Sequence, residues 1–218
     1  VWTTAEFDAA PLGPVGNGDR FIRGTDGNET LRGPDGNDTI DGKDGADRIF
    51  GGGGNDYLLG GAGRDVLSGD AGDDLLNGGG DGDRLLGGTG ADTLLGDIGD
   101  DFLDGGAGPD VLDGGAGANR LIFQRGDGQD IVRGAATSGG ADRTSLELVT
   151  SYAVGSLGAV PVGIASSEVT LTRQGDHLVI DRNDGDDRIT VENYFTLAPG
   201  NLYPVHAIQF SDTAWNNA

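Results

Sequence analysis

The chain has 218 residues, room for one large domain or two small ones. Glycine supplies 44 of them, while apolar residues make up 35% and aromatics only 6%, too little for a thick hydrophobic core. Thirty-six acidic against 14 basic side chains give a formal net charge of −22 and a pI near 4.1, a balance that repels nucleic acid and anionic membrane surfaces. With no cysteine, disulfides and thiolate metal sites are excluded, and no run approaches the ~18 apolar residues of a membrane span. Two classes remain, a disordered acidic chain or one that collects cations. The order of the glycines decides between them.

Residues 1–23 read as a lead-in. From Gly24 to Ile122 the sequence then divides without a gap into eleven nonapeptides, from GTDGNETLR through GGGGNDYLL and GGTGADTLL to GGAGANRLI. Position one is always Gly. Position eight is Leu31, Ile40, Ile49, Leu58, Leu67, Leu76, Leu85, Leu94, Leu103, Leu112 and Leu121. Position six is Asp38, Asp47, Asp56, Asp65, Asp74, Asp83, Asp92, Asp101 and Asp110, with Glu29 before them and Asn119 after. A flexible Gly/Asp linker would not hold three columns in phase.

Glycines at positions one, two and four allow sharp turns through positive φ. Positions seven to nine suit a very short strand with position eight inward and its neighbours outward. Two nonapeptides then make one turn of a right-handed parallel β-roll. Its two sheets repeat every 18 residues, stacked at roughly 4.8 Å around a single ladder of Leu and Ile. The expected class is all-β.

The same stacking sets the sixth-position side chains in two columns. One runs Glu29, Asp47, Asp65, Asp83, Asp101, Asn119; the other runs Asp38, Asp56, Asp74, Asp92, Asp110. Bare carboxylates about 4–5 Å apart would repel by a few kcal/mol each at an effective dielectric near 20, more in total than a domain's usual stability. A divalent ion between successive turns reverses the sign. Two carboxylates plus turn carbonyls make a hard oxygen cage that suits Ca²⁺ better than Zn²⁺. Five gaps in one column and four in the other set an upper bound of nine calcium ions. The gaps at Glu29 and Asn119, and those flanking Asp81 in place of a fourth-position glycine, are the least regular.

Repeats such as GGTGADTLL and GGAGPDVLD resemble the RTX, or haemolysin-type, calcium-binding repeats of secreted bacterial proteins. The resemblance implies a parallel β-roll, type I secretion to the cell surface or the extracellular space, and a chain that folds when it meets calcium outside the cell. The carboxylate arithmetic predicts the same coupling of binding to folding.

After Ile122 the phase breaks, and residues 123–218 read as a β-rich cap. Phe123 to Val132 fits one more repeat displaced by two residues, with Asp130 at position six and its ligation left open. Val169/Leu171, Leu178/Ile180 and Ile189/Val191 alternate with polar neighbours, around turns at Gln174-Gly175-Asp176 and Asn183-Asp184-Gly185. Asn193-Tyr194-Phe195 and Ala207-Ile208-Gln209-Phe210 add larger apolar groups. RGDGQDIV (125–132), SEVTLTRQGDHLVI (167–180), DRITVENYF (187–195) and IQFSDTAW (208–215) are similar to the haemolysin-type calcium-binding-related domain. That resemblance implies a cap over the open end of the roll, with a variable middle at 134–165. A parallel roll needs one, because its last rung exposes unpaired backbone. Val1-Trp2 matches Ala214-Trp215 and the chain lacks methionine, so it reads as an excised unit of a tandem array.

Nothing reads as catalytic. His177 and His206 suit surface or packing roles; H-E-x-x-H and G-x-S-x-G are absent. Gly51 to Gly54 lack the ending of a phosphate loop, and Asp181–Asp187 lacks the glycine of an EF-hand. Outward positions distinguish the two sheets. One carries Thr39, Tyr57, Leu59, Leu75, Thr93, Leu95 and Val111, an apolar face that its own terminal segments or another copy would cover. The other carries Thr30, Arg48, Val66, Arg84, Phe102 and Arg120. Two roles fit: a unit of a larger secreted adhesive, structural or fibre-forming protein, or an accessory folding and secretion module of a type I secreted enzyme or toxin.

Overall fold

A computed structural model of the chain describes residues 18–124, 126–133, 145–155, 158–163, 169–183, 187–192, 207–209 and 214–216. One aliphatic residue in nine can be buried only if the chain coils so that these residues stack, and that is the architecture. Every regular element among the described residues is a strand: β1 (Phe21–Arg23), β2 (Thr30–Arg32), β3 (Thr39–Asp44), β4 (Arg48–Gly53), β5 (Tyr57–Ala62), β6 (Val66–Ala71), β7 (Leu75–Gly80), β8 (Arg84–Thr89), β9 (Thr93–Ile98), β10 (Phe102–Ala107), β11 (Val111–Asp113), β12 (Arg120–Phe123) and β13 (Gln129–Arg133) in the roll. There follow β14 (Ser145–Gly155), β15 (Gly158–Gly163), β16 (Val169–Gln174), β17 (His177–Arg182), β18 (Arg188–Val191), β19 (Ala207–Gln209) and β20 (Ala214–Asn216). No helix among the described residues is long and apolar enough to cross a membrane.

Strands alternate between two sheets. One is ordered β1-β3-β5-β7-β9-β11-β13-β18-β17-β16, the other β2-β4-β6-β8-β10-β12-β14-β19-β20, with β15 on β14. The register is the expected eighteen residues: Thr39 opposes Tyr57, Tyr57 opposes Leu75, and Leu75 opposes Thr93, all in parallel. Between the sheets lie Ile40, Ile49, Leu58, Leu67, Leu76, Leu85, Leu94, Leu103, Leu112 and Leu121, each with no exposed surface. Val132 and Leu146 extend this ladder past the last nonapeptide.

The strands are longer than a seven-to-nine reading allows. From β3 to β10 each has six residues, because pairing resumes at positions two and three of the next repeat, as in Gly61↔Gly79 and Ala62↔Gly80. Glycine at position one leaves no side chain to part the rungs, and pairing holds even where position two is Lys43, Asp70 or Asp97. The roll also starts before Gly24. Phe21 and Ile22 pair in register with Thr39 and Ile40, making the last three lead-in residues a rung.

Asp81, at a fourth position, takes φ +72°, and Lys43, Asp70 and Asp97 take similar values at second positions. Aspartate tolerates this left-handed region better than most residues. The turn therefore keeps its shape, and the pairing of β7 with β9 around it is regular.

After β12 the step changes. Val111 opposes Ile131, twenty residues on, which absorbs the displacement at Phe123. Arg120 opposes Ser145 at the start of β14. β18 then adds parallel to β13, followed by the antiparallel strands β17 and β16. The expected hairpin turns at Gly175, φ +63°, with Gln174 opposite His177. On the second sheet β19 adds to β14 and β20 to β19. The last rungs thus find backbone partners in the C-terminal half. Asp184, Gly185, the Asn193-Tyr194-Phe195 run, His206, Phe210 and Val1-Trp2 lie outside the described residues.

On the outer faces, Tyr57 is 39% exposed and Leu59, Leu75, Leu95 and Val111 are half-buried. The opposite sheet carries guanidinium–aromatic stacks. Arg32 lies 3.8 Å from the Phe50 ring centre, and Phe102 lies between Arg84 and Arg120 at 4.2 and 5.8 Å.

Candidate metal centre

Each sixth-position residue closes a turn and stands directly over its counterpart one coil earlier. The carboxylate of each aspartate from Asp38 to Asp110 is held by one oxygen only. In the Asp38 column Arg20 N–H donates to Asp38 Oδ1 at 2.6 Å, Asp38 N–H to Asp56 Oδ1 at 2.7 Å, and Asp56 N–H to Asp74 Oδ1 at 2.7 Å. Asp74 N–H then donates to Asp92 Oδ1 at 2.8 Å and Asp92 N–H to Asp110 Oδ1 at 2.9 Å. The Glu29 column repeats the pattern: Glu29 N–H to Asp47 Oδ1 at 2.7 Å, then Asp47 to Asp65, Asp65 to Asp83 and Asp83 to Asp101, each at 2.8 Å. Neighbouring carboxylates therefore do not simply face each other. A backbone N–H comes between them and takes half of each.

The second oxygen is the anomaly. Oδ2 of Asp38, Asp47, Asp56, Asp65, Asp74, Asp83, Asp92, Asp101 and Asp110 is buried with no hydrogen-bond partner. Each of these residues is 1–3% exposed. An unmatched buried acceptor costs about 1–3 kcal/mol, more when charged, so nine of them call for a counter-charge. A second oxygen converges on the same place. Where a Cβ on Gly33 would stand, Asp38 Oδ2 and the carbonyl oxygen of Gly51 from the next coil both lie at 2.2 Å. At Gly60 the corresponding atoms, Asp65 Oδ2 and Gly78 O, both lie at 2.5 Å. Position one is glycine because any side chain would fill this cradle.

No three His, Cys, Asp or Glu side chains come together as a metal group among the described residues. Backbone carbonyls must therefore complete any coordination sphere. Orphaned carboxylate oxygens beside converging carbonyls are a hard, all-oxygen donor set, and they fit calcium. Zinc's nitrogen and sulfur ligands are missing.

Burial pushes the carboxylates up, while the backbone N–H bond on each pulls the other way. Asp56, Asp65, Asp101 and Asp110 rise to about 6, and Asp83 and Asp92 to about 7. Asp38, Asp47 and Asp74 shift in the same direction. The environment disfavours charge unless a cation supplies the compensation.

The ends of the columns differ from the middle. Glu29 turns its carboxylate back onto Thr25, accepting from that residue's N–H at 3.1 Å and from its hydroxyl. Its Oε2 still lies 2.9 Å from the Cβ position of Gly24, beside Gly42 O at 2.5 Å. Asn119, expected among the metal-binding residues, presents its side chain differently from the aspartates. Its Oδ1 accepts Asp101 N–H at 2.9 Å, and its Nδ2 donates to Gly115 O at 3.2 Å, so a donor group stands where the aspartates place Oδ2. Asp130 continues the other column across the twenty-residue step, accepting Asp110 N–H at 3.0 Å. It sits in an acidic junction with Asp127 and Asp187. Burial raises Asp130 to about 8 and Asp127 to about 7. Asp187, from the C-terminal half, accepts from the N–H groups of Gly126 and Gly128 at 2.9 and 3.2 Å.

One set of residues escaped the sequence reading. Fifth-position Asx side chains form a second, exposed ladder running the opposite way. Asn37 N–H donates to Asp19 Oδ1, Asn55 N–H to Asn37 Oδ1, Asp73 N–H to Asn55 Oδ1 and Ala91 N–H to Asp73 Oδ1, at 2.8–3.0 Å. The signal was present as Asx at position five in Asn28, Asn37, Asn55, Asp73 and Asp100. It was diluted by Ala, Arg, Gly and Pro in the other repeats. Pro109, which has no N–H, follows Ala91, which has no acceptor to offer.

Known proteins match this arrangement in two regions. The model of the RTX calcium-binding nonapeptide repeat matches in overlapping stretches, 23–58, 50–85, 59–94, 86–121 and 95–130. That of the haemolysin-type calcium binding protein related domain matches 177–218. No curated protein matches the chain. Among solved structures, the extracellular lipase LipA from Serratia marcescens aligns at 19% identity and a TM-score of 0.29, over 86% of this chain and 39% of that one. This chain thus spans well under half of the lipase's length. The chain belongs to the RTX calcium-binding repeat proteins, with a haemolysin-type calcium-binding-related domain at its C-terminal end.

Proposed function

We propose that the chain is a calcium-driven folding module in which Asp38, Asp47, Asp56, Asp65, Asp74, Asp83, Asp92, Asp101 and Asp110 hold the ions between successive turns. The observation that carries this reading is the pair of columns of buried Oδ2 atoms without hydrogen-bond partners. Without an ion each is a cost; with one, each becomes a ligand, and the sum becomes folding free energy. A secreted protein would exploit this, staying unfolded where calcium is scarce and folding where it is abundant. Affinity per site in extracellular modules is about 10⁻⁴–10⁻³ M, which matches such a switch. No residue of the roll is assigned to catalysis in this reading.

We further read the module as one unit of a larger secreted structural, adhesive or fibre-forming protein. Support comes from the outer face of the first sheet, where Tyr57 stands 39% exposed among half-buried Leu59, Leu75, Leu95 and Val111. An accessory folding and secretion module of an exported enzyme or toxin is the alternative role. A calcium titration followed by circular dichroism and size exclusion tests both levels. The chain should be expanded in chelator, gain β-structure cooperatively with calcium, and then associate. Full β-structure and native compactness in excess chelator, with no metal retained, would overturn the calcium reading. A calcium-folded chain that stays monomeric at high concentration would favour the accessory role.

A further inference from the structure

The two columns of sixth-position residues do not end alike, and the difference lies in one atom. Asn119 has no exposed surface and occupies the place of an aspartate. Asp101 N–H needs an acceptor, and Asn119 Oδ1 supplies it at 2.9 Å, which fixes the orientation of the amide. Nδ2 then has to sit where the other rungs place Oδ2. It lies 2.7 Å from the Cβ position of Gly114, as Asp101 Oδ2 lies 2.5 Å from that of Gly96. From there it donates to the Gly115 carbonyl at 3.2 Å.

An N–H group and a bound cation present the same thing to a carbonyl oxygen, a positive partner at short range. We propose that Asn119 ends the Glu29 column by replacing the ion with its own amide hydrogens, so that the roll can close on this side without calcium. The placement makes physical sense. The next strand beside β12 in its sheet is β14, which belongs to no nonapeptide, and Ser145 caps Asn119 by donating its N–H and Oγ–H to the Asn119 carbonyl at 2.8 and 3.2 Å. An ion site there would lack a repeat turn on its far side. On the other sheet the column continues as aspartate through Asp110 to Asp130, so the substitution is confined to one edge.

The inference rests on the calcium reading, and the test separates the two. Calcium bound per full-length chain is counted by equilibrium dialysis at saturation, and ion uptake on folding is read from the calcium dependence of the folding transition. Asn119→Asp should bind one more calcium ion than the wild type and fold with a steeper calcium dependence. Asp101→Asn, which installs the same amide one coil earlier, should bind at least one ion fewer and still fold at saturating calcium. An unchanged ion count in N119D would overturn the inference, since it would mean that Asn119 is already a ligand or controls no site. If N119D does not fold, D101N decides alone, and an undiminished count there also overturns it. A wild-type chain that binds no calcium would instead sink the underlying reading.

Discussion

Asp65 donates its backbone N–H to Asp83 Oδ1 at 2.8 Å, while the second oxygen of both carboxylates is buried with no hydrogen-bond partner. The coil is thus suspended from its own acidic side chains, and each suspension leaves a charge to be neutralised. Either a proton or a metal ion can do it, and the two compete.

This competition fixes the pH response. Asp83 and Asp92 rise to about 7, and Asp56, Asp65, Asp101 and Asp110 to about 6, all by burial. An unfolded aspartate titrates near 3.9. Between about pH 4 and 7 the folded chain therefore binds more protons than the unfolded one, and stability falls as pH rises. In chelator, circular dichroism should show β-structure gained on acidification from pH 7.5 towards 4.5. In calcium the trend reverses: affinity measured by titration calorimetry should weaken as pH falls through 7 to 5, because protons displace the ion. A metal-free chain that loses structure on the same acidification would contradict the buried-carboxylate account.

Glycine in this roll is needed for two reasons at some positions and for none at others. A Cβ on Gly60 would meet Asp65 Oδ2 and Gly78 O at 2.5 Å, whereas one on Gly80 would meet nothing closer than 3.9 Å, and neither residue has a positive φ. Gly60→Ala should cost about 2–4 kcal/mol and weaken calcium binding, through overpacking and loss of the cradle. Gly80→Ala should change stability by no more than about 0.5 kcal/mol, in the stabilising direction if at all. Urea unfolding in saturating calcium compares them directly, and equal losses would show that backbone freedom alone sets the glycine requirement.

Much of this was legible because the repeat constrains it. Leu76 and its equivalents could point only inward, and a nine-residue period with a two-sheet coil forces Asp56 over Asp74. What could not be read was how each turn shares its hydrogen bonds. Stacked carboxylates suggested ions between two facing charges. The structure instead spends one oxygen of each on a backbone N–H, a choice that leaves no mark in composition. The orientation of the Asn119 amide was hidden for the same reason, because asparagine and aspartate are alike until the direction of the second atom is known. The start of the roll at Phe21 was hidden because that repeat has Val15 at position one and Arg20 at position six, in place of glycine and aspartate. Its aliphatic residue, Ile22, does fall eighteen before Ile40.

Adjacent residues in one turn should behave oppositely on substitution. Asn55 Oδ1 accepts Asp73 N–H at 3.0 Å in an exposed setting, where water can replace a lost partner. Asn55→Ala should cost about 0.5–1 kcal/mol and leave the calcium count unchanged. Asp56→Asn keeps an oxygen for Asp38 N–H, bonded at 2.7 Å, but gives up the buried charge. It should lose at least one ion while retaining the fold at saturating calcium. Dialysis counts on the two variants decide the matter; an ion lost from N55A would place the metal outside the turn rather than between the rungs.

The donor set also decides which metal folds the chain. Carboxylate Oδ2 atoms are single and spaced one per coil, and no three acidic or imidazole side chains converge among the described residues. Backbone carbonyls such as Gly51 O and Gly78 O must then fill most of the sphere. Carbonyls fixed by a sheet cannot draw in to the ~2.0–2.1 Å octahedron that magnesium demands, whereas calcium accepts six to eight oxygens at ~2.3–2.6 Å in irregular geometry. Zinc would find none of the nitrogen or sulfur ligands it prefers. In circular dichroism titrations of the chelator-treated chain, calcium should restore β-structure at millimolar or lower concentration, and magnesium should fail at ten times that level. Equal folding by magnesium would mean that the cations act by screening the −22 net charge rather than by occupying the turns, since screening does not distinguish two ions of the same valence.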